Sequence, residues 1–258
     1  MKTVVMVASH KPYWIPTDPM YLPVQVGSAG KPSLDWQRDD DGENISSKNA
    51  TFCELTGLFW MWKHLDADAY GLAHYRRYFS FGLAPKKKDR ILTNKHAQHL
   101  LAKHSLVLPR KRHYYIETNY SQYVHAHHET DLLETAAILT ERYPEYIPAW
   151  EREMARRSGH RFNMFLMRAP LFHAYCEWLF DILFALENKL DISAYSASDQ
   201  RVFGYVAERL LDVWVETNRI SYAELPVVNL ENQHWGKKIF SFLRRKITGG
   251  KKTSPAAR

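Results

Sequence analysis

Residues 3–11 read TVVMVASHK: six β-branched or apolar side chains, then Ser9, His10 and Lys11. A short run of this kind, rich in Val and without polar alternation, predicts a buried first strand that opens into a polar loop at its carboxyl end. Downstream, Leu22–Val26 (LPVQV) predicts a second short strand, ended by Gly27. From Gly30 to Ser47 the chain is polar and turn-rich, with consecutive acids at Asp39, Asp40 and Asp41. That is too long for a plain connector, which leaves a functional loop or disorder. Asn49 then reads as the cap of a strong helix carrying Cys53, Leu55, Leu58, Phe59, Trp62 and Leu65 at helical spacing. Tyr70–Ala73 (YGLA) is the next buried strand, and it runs into His74-Tyr75-Arg76-Arg77-Tyr78-Phe79.

The alternation continues. Pro85–Arg90 is a basic turn, Asn94–Lys103 a short helix and Ser105–Leu108 a strand. Tyr120–Arg142 reads as one helix, broken at Pro144–Trp150, with a further helix expected at Ala149–Arg157. Phe162–Met167 (FNMFLM) reads as a strand. Pro170–Leu190 is a long amphipathic helix with Phe172, Tyr175, Leu179, Ile182, Leu183 and Leu186 on one face. Gln200–Asn218 is another helix and Leu225–Leu230 a final strand. Short strands alternating with helices predict an α/β layered fold: one domain over residues 1–234, with a mixed, mostly parallel sheet flanked by helices. From Trp235 the chain becomes a basic amphipathic helix, with Trp235, Ile239, Phe240, Leu243 and Ile247 beside Lys237, Lys238, Arg244, Arg245 and Lys246. Aromatic residues opposite basic ones describe an interfacial helix drawn to anionic lipid. A solubilising tail over 235–258 is the plainer alternative.

Composition narrows the partners. The chain of 258 residues carries 35 Lys and Arg against 28 Asp and Glu, a net charge of +7. Eight of those cations lie in Gly236–Arg258, which has no acid, so the body of the protein is near neutral. A general nucleic-acid binder carries its basic face on the folded domain, so nucleic acid is not an expected partner. The 15 Tyr and 8 Trp suit carbohydrate or nucleotide stacking, and equally an aromatic core. Cys53 and Cys176 sit in apolar helical patterns and read as buried thiols. No signal peptide and no run of 18 apolar residues is visible, so the expectation is cytoplasmic, peripheral at the inner face of the cell membrane. GxxxxGK[ST], GxGxxG and GxSxG do not occur, and His125, His127 and His128 lack zinc-ligand spacing.

Four segments together resemble a bacterial family known as domain of unknown function 4422. They are Asp41–Leu65 (DGENISSKNATFCELTGLFWMWKHL), Tyr70–Phe79 (YGLAHYRRYF), Tyr120–Leu132 (YSQYVHAHHETDL) and Phe162–Leu211. The resemblance covers roughly residues 3–230. It implies a fold like the GT-A glycosyltransferases. It also implies transfer of a hexose, galactose or galactofuranose, from a UDP-sugar donor to a lipid-linked glycan in capsule, exopolysaccharide or O-antigen synthesis. A non-catalytic nucleotide- or carbohydrate-binding component of a polysaccharide assembly complex is the alternative.

Within that frame the residues sort by position. Ligands of open α/β sheets bind beyond the carboxyl ends of the strands. Ser9, His10 and Lys11 therefore fall where a base and ribose would lie, or form an ordinary turn. Asn44, Ser46, Lys48 and Asn49 precede a helix N-terminus, whose free N–H groups favour anions; the same residues also serve as plain caps. Asp66-Ala67-Asp68 has the form of a metal-binding Asp-x-Asp pair but precedes its strand, so it reads as a loop and not a metal site. After the strand stand His74, Arg76 and Arg77. They are expected to neutralise the donor diphosphate in place of a metal, one arginine on phosphate and the other bracing the fold. The acceptor's proton needs a carboxylate or histidine. His127, His128, Glu129, Asp131, Asp199 and Glu208 qualify, with Asp131, Glu208 and His128 in front. On a continuous helix Asp131 shares a face with His127 and His128. His127, Asn163 and Arg201 are expected on the substrate, with Tyr120, Tyr123 and Trp178 as stacking aromatics.

Overall fold

The computed structural model describes residues 1–231; the basic segment 235–258 lies outside them. The strands are β1 Thr3–Ser9, β2 Tyr21–Gln25, β3 Gln37–Arg38, β4 Ala69–His74, β5 Arg77–Phe79, β6 Leu106–Pro109, β7 Arg112–His113, β8 Ser158–Gly159, β9 Phe165–Arg168, β10 Tyr222–Leu225 and β11 Val227–Asn229. The helices are α1 Asn49–Phe52, α2 Leu55–His64, α3 Asn94–Lys103, α4 Asn119–Ala126, α5 Glu129–Arg142, α6 Ile147–Ala155, α7 Ala169–Lys189 and α8 Val202–Thr217.

The main sheet has the order β10-β6-β9-β4-β1-β2-β3, with β5 and β11 added beside β4. β1 pairs in parallel with β2 and β4, β2 with β3, and β6 with β10. β9 runs antiparallel between β4 and β6. The expected mixed, mostly parallel α/β fold is what forms. The uninterrupted apolar run of β1 has a direct cause: both faces of the sheet are covered. Met6 and Ala8 pack in the large core with α1, α2, α7 and α8, while Val5 and Val7 pack in a second core with α3 and β5. Each of the Met and Val side chains, fully buried, contributes about 1.5–3 kcal/mol. Gly57 lets α2 lie close on the strands, since a Cβ there would meet Val26 Cγ1 at 2.7 Å. Helix α7 is long and apolar enough to cross a bilayer, yet Phe172, Tyr175, Leu179, Ile182 and Leu183 on it are buried in the protein core.

Several elements depart from the sequence expectation. The helix from Asn49 is interrupted at Cys53, whose φ is +54°, and Asn49 does not cap it. Instead Asn49 Nδ2 bridges the break, donating to Cys53 O and Thr56 Oγ1. The helix over 120–142 is two helices, with His127 and His128 in the joint. The helix after Pro144 begins at Ile147 and ends at Ala155. β9 begins only at Phe165, because Phe162 and Asn163 have positive φ. Pro226 divides the last strand into β10, on β6, and β11, on β5.

The polar stretch 30–47 is ordered by one side chain. Asp39 is fully buried and accepts hydrogen bonds from Gly27 N, Ser28 N, Ser28 Oγ, Ser46 Oγ and Thr56 Oγ1. It ties the β2 turn, the loop and α2 to one carboxylate. Asp39→Asn places an amide donor among these donors and is expected to cost about 2–3 kcal/mol in urea unfolding.

Candidate functional site

β1 and β4 end in register, Ala8 opposite His74, so their carboxyl ends open on one edge of the sheet. A cleft of about 480 Å³ lies there. His10 follows β1, His74 closes β4, and Tyr75-Arg76 turns the chain into β5, which begins at Arg77. Opposite stand Asn49, Cys53 and Glu54 from the α1–α2 break, Phe162, Gln200 and Arg201 from the turn before α8, and Glu208 within α8. The volume falls in the range of small-ligand sites.

The wall is cationic. Arg76 pairs with Glu231 at 3.0 Å. Arg77 lies over the Phe162 ring at 4.5 Å and its buried Nε has no hydrogen-bond partner. Burial, and after it the charge of Arg76, pull the Arg77 guanidinium below its ordinary pKa. A cation in that state gains from an anion placed beside it. Arg201 donates from Nε to Cys53 Sγ at 3.1 Å and lies over Tyr205. His10 is held below its usual pKa by burial, then by Lys11, Lys31, Arg76 and Arg201. Burial, then Glu54, push the Cys53 thiol up to about 11, so at neutral pH it is protonated and not a nucleophile.

Phe162 and Asn163 form the floor. Both adopt left-handed backbone, φ +79° and +52°, which costs non-glycine residues about 1–3 kcal/mol each. Their surroundings hold them there. His74 Nε2 donates to Phe162 O at 2.7 Å, and Phe162 N donates to Glu208 Oε1 at 2.9 Å. Asn163 Nδ2 donates to Glu54 Oε1 and to Gly204 O. One strained turn thus sets the places of both cleft carboxylates, Glu54 and Glu208, and of His74.

The candidate residues divide accordingly. His10, Asn49, His74, Arg76, Arg77, Arg201 and Glu208 line the cleft. The two arginines both face it, against the expectation of opposite directions, because Arg76 sits in the turn and not on the strand. Ser9 is buried and donates to Lys11 O, while Lys11 Nζ lies 5.2 Å over the Tyr75 ring. Asn44 folds its own turn onto Asp40 O and Gly42 O, Ser46 serves Asp39, and Lys48 pairs with Glu187 at 2.6 Å. The side chains of these residues are engaged within the fold, outside the cleft lining. Asn163 binds Glu54 and Gly204 and belongs to the floor.

Asp131 lies outside the cleft lining. It is buried and accepts from Tyr123 Oη and Tyr195 Oη, both at 2.8 Å. The helix break also undoes its expected alignment with the histidines. His127 and His128 turn to Asp199, at 3.2 and 3.8 Å, and stack on Tyr205 and Tyr195, outside the cleft lining. Tyr123 and Trp178 are core residues. Asp68 of the Asp-x-Asp string accepts from Lys2 N at the opposite edge of the sheet. Glu54 and Phe162 were not singled out from sequence; their position depends on positive φ at non-glycine residues, which leaves no signal in the residue pattern.

Asn163→Ala removes the amide from both Glu54 and Gly204 O while keeping a side chain that disfavours left-handed backbone. It is expected to lose about 2–4 kcal/mol in urea unfolding.

One solved structure, that of the bifunctional glycosyltransferase WbbM in its apo form, matches with a TM-score of 0.84 and 29% identity over 90% of this chain and 46% of that one. The chain therefore spans under half of that protein's length. No curated protein matches it. The family model for the domain of unknown function DUF4422 matches residues 4–219, and the chain belongs to that family.

Proposed function

We propose that this chain is a glycosyltransferase that uses a nucleotide diphosphate sugar. The observation that carries the reading is the cleft itself: Arg76, Arg77, Arg201, His10 and His74 gathered with two carboxylates at the carboxyl edge of a sheet. The likeness to WbbM, a bifunctional glycosyltransferase, supports it. The finer reading is a UDP-sugar, galactose or galactofuranose, delivered to a lipid-linked glycan of the cell surface. The basic segment 235–258 is assigned to the inner face of the cell membrane.

The roles follow from the wall. Arg77, whose buried Nε has no hydrogen-bond partner, and Arg201 take the diphosphate, with Arg76, His10 and His74 around it. Their positive charge meets the negative charge that develops on the leaving nucleotide as the bond from sugar C1 to phosphate oxygen breaks, without a divalent metal. An acceptor hydroxyl attacks C1 and its proton passes to a carboxylate. Glu208 is assigned that role. Its Oε1 is fixed by Phe162 N–H, so the carboxylate is oriented before substrate arrives. Glu54 is held in the same way by Asn163.

Thermal shifts with UDP, GDP, CMP and their sugar conjugates test the donor. A UDP species should stabilise the chain equally with EDTA and with manganese, and Arg77→Ala should abolish the shift. Stabilisation that needs manganese overturns the metal-independent assignment. Glu208→Gln should keep the shift and lower donor turnover by about 10²–10⁴-fold. Nucleotide binding without turnover by the unaltered chain, with acceptor present, would instead indicate a binding component.

The pH dependence has a sign. Burial, then the neighbouring cations, hold the His10 pKa below its ordinary value in the free protein. A bound diphosphate raises that pKa, so binding takes up a proton and tightens as pH falls through the His10 titration. His10→Gln should flatten this dependence in calorimetric titrations.

A further inference from the structure

The loop after β6 takes no part in the cleft and has an unusual surface. It reads Arg110-Lys111-Arg112-His113-Tyr114-Tyr115-Ile116. Tyr115 is 81% exposed and Ile116 68%. The other exposed large apolar residues described, Met1, Trp14, Leu83 and Leu133, stand singly; these two are adjacent. We infer that this loop is a docking knob for an anionic phospholipid surface, with Tyr115 and Ile116 entering the headgroup layer and the surrounding cations meeting lipid phosphates.

The knob is built rather than loose. Arg112 and His113 pair with Gly159 and Ser158 in the β7–β8 ribbon. Tyr114 N donates to Arg157 O at 2.8 Å, Ile116 N donates to Tyr114 O at 2.7 Å, and Arg157 Nη1 donates to Tyr115 O at 3.3 Å. Tyr114 Oη accepts from buried Arg161 Nε. Tyr115 stands at φ +60°, a conformation bulky residues rarely adopt. The two apolar side chains are therefore presented to solvent by a fixed scaffold.

The cations around them lack carboxylate partners, although Lys111 and Arg112 lie over the Tyr222 and Tyr114 rings at 6.0 and 5.4 Å. Arg110, Lys111, Arg112, Arg157 and Arg219 form no ion pair among the described residues. Behind the tip, Lys111, Arg156 and Arg219 line a hollow of about 230 Å³ with Asp212 and Glu216. Those two acids are already engaged, Asp212 by His160 and Glu216 by Arg152 and Arg156. Free cations beside exposed apolar groups match a surface that offers phosphates above hydrocarbon. A nucleic acid would reward the cations and stack on Tyr115, but Ile116 has no ring to stack and no polar group to read a base. It gains only by leaving water.

Position adds a consequence. β6 and β4 are both antiparallel to β9, so they run parallel to each other. The knob therefore leaves the same edge of the sheet that opens the cleft, and docking would turn that edge toward the lipid. The inference stands on this surface alone and does not require the transferase reading.

The test uses the full chain and sedimentation with phosphatidylglycerol-containing vesicles, with pure phosphatidylcholine vesicles for comparison. The unaltered chain should sediment with the anionic vesicles only, and less so in high salt. Lys111→Glu with Arg112→Glu, and separately Tyr115→Ser with Ile116→Ser, should each lower partitioning about tenfold while leaving thermal unfolding unchanged. Ile116→Cys gives a single accessible thiol, since Cys53 and Cys176 are buried. An environment-sensitive dye there should shift to the blue on anionic vesicles. The inference is overturned if both double variants sediment like the unaltered chain, which would place lipid attraction elsewhere, including the basic segment 235–258. It is equally overturned if the protein binds and the dye does not shift, or if it binds single-stranded DNA but no vesicle.

Discussion

The arrangement of the cleft depends on a short segment, Arg161-Phe162-Asn163, held by its side chains as well as its backbone. Arg161 is almost wholly buried, and its guanidinium reaches His160 O, Glu208 O, Asn119 Oδ1 and Tyr114 Oη. That clamp fixes the chain just before two successive left-handed residues. The same turn then positions His74, Glu208 and Glu54 through three further hydrogen bonds. Strain of this size persists only where the surroundings over-determine the backbone, and such places cluster at functional sites.

Two of the three cleft arginines, Arg77 and Arg201, have no carboxylate partner among the described residues. Several surface arginines have a carboxylate at hand, as Arg142 has Asp181 and Arg152 has Glu216. In the cleft Arg76 has Glu231, while the other two arginines are met by weaker partners: a thiol for Arg201, an aromatic face for Arg77. The break at Cys53 contributes to this. By interrupting the helix it brings Glu54 to the cleft and exposes Cys53 Sγ to Arg201. Asp39 holds the other side of the break, through Thr56, and so connects the long loop after β2 to the site.

The segments with strong periodicity were legible from the residues. β1, β4, α3, α7 and α8 fall where their apolar spacing puts them, because burial on one or both faces leaves a repeat in the sequence. His10, His74, Arg76 and Arg77 were legible for a second reason: they follow strands, and the carboxyl ends of parallel strands share an edge. Asn44, Ser46 and Lys48 have the same polar chemistry as a ligand loop, yet their hydrogen bonds are spent on Asp40, Gly42, Asp39 and Glu187. Residue type could not distinguish a side chain offered to a ligand from one consumed by the fold.

The sequence by itself determined the α/β class, the buried strands and the family, since these rest on local pattern and on matched strings of residues. Only the tertiary structure decided which polar groups meet. Asp131 was aligned with His127 and His128 on paper, and a two-residue joint sent it to Tyr123 and Tyr195 instead. Glu54, more than a hundred residues from Asn163 and Glu208, became their neighbour. The reason is physical: hydrophobic periodicity is a local property that each segment carries with it, whereas hydrogen-bond partners are set by long-range packing and by backbone turns that ordinary side chains do not announce.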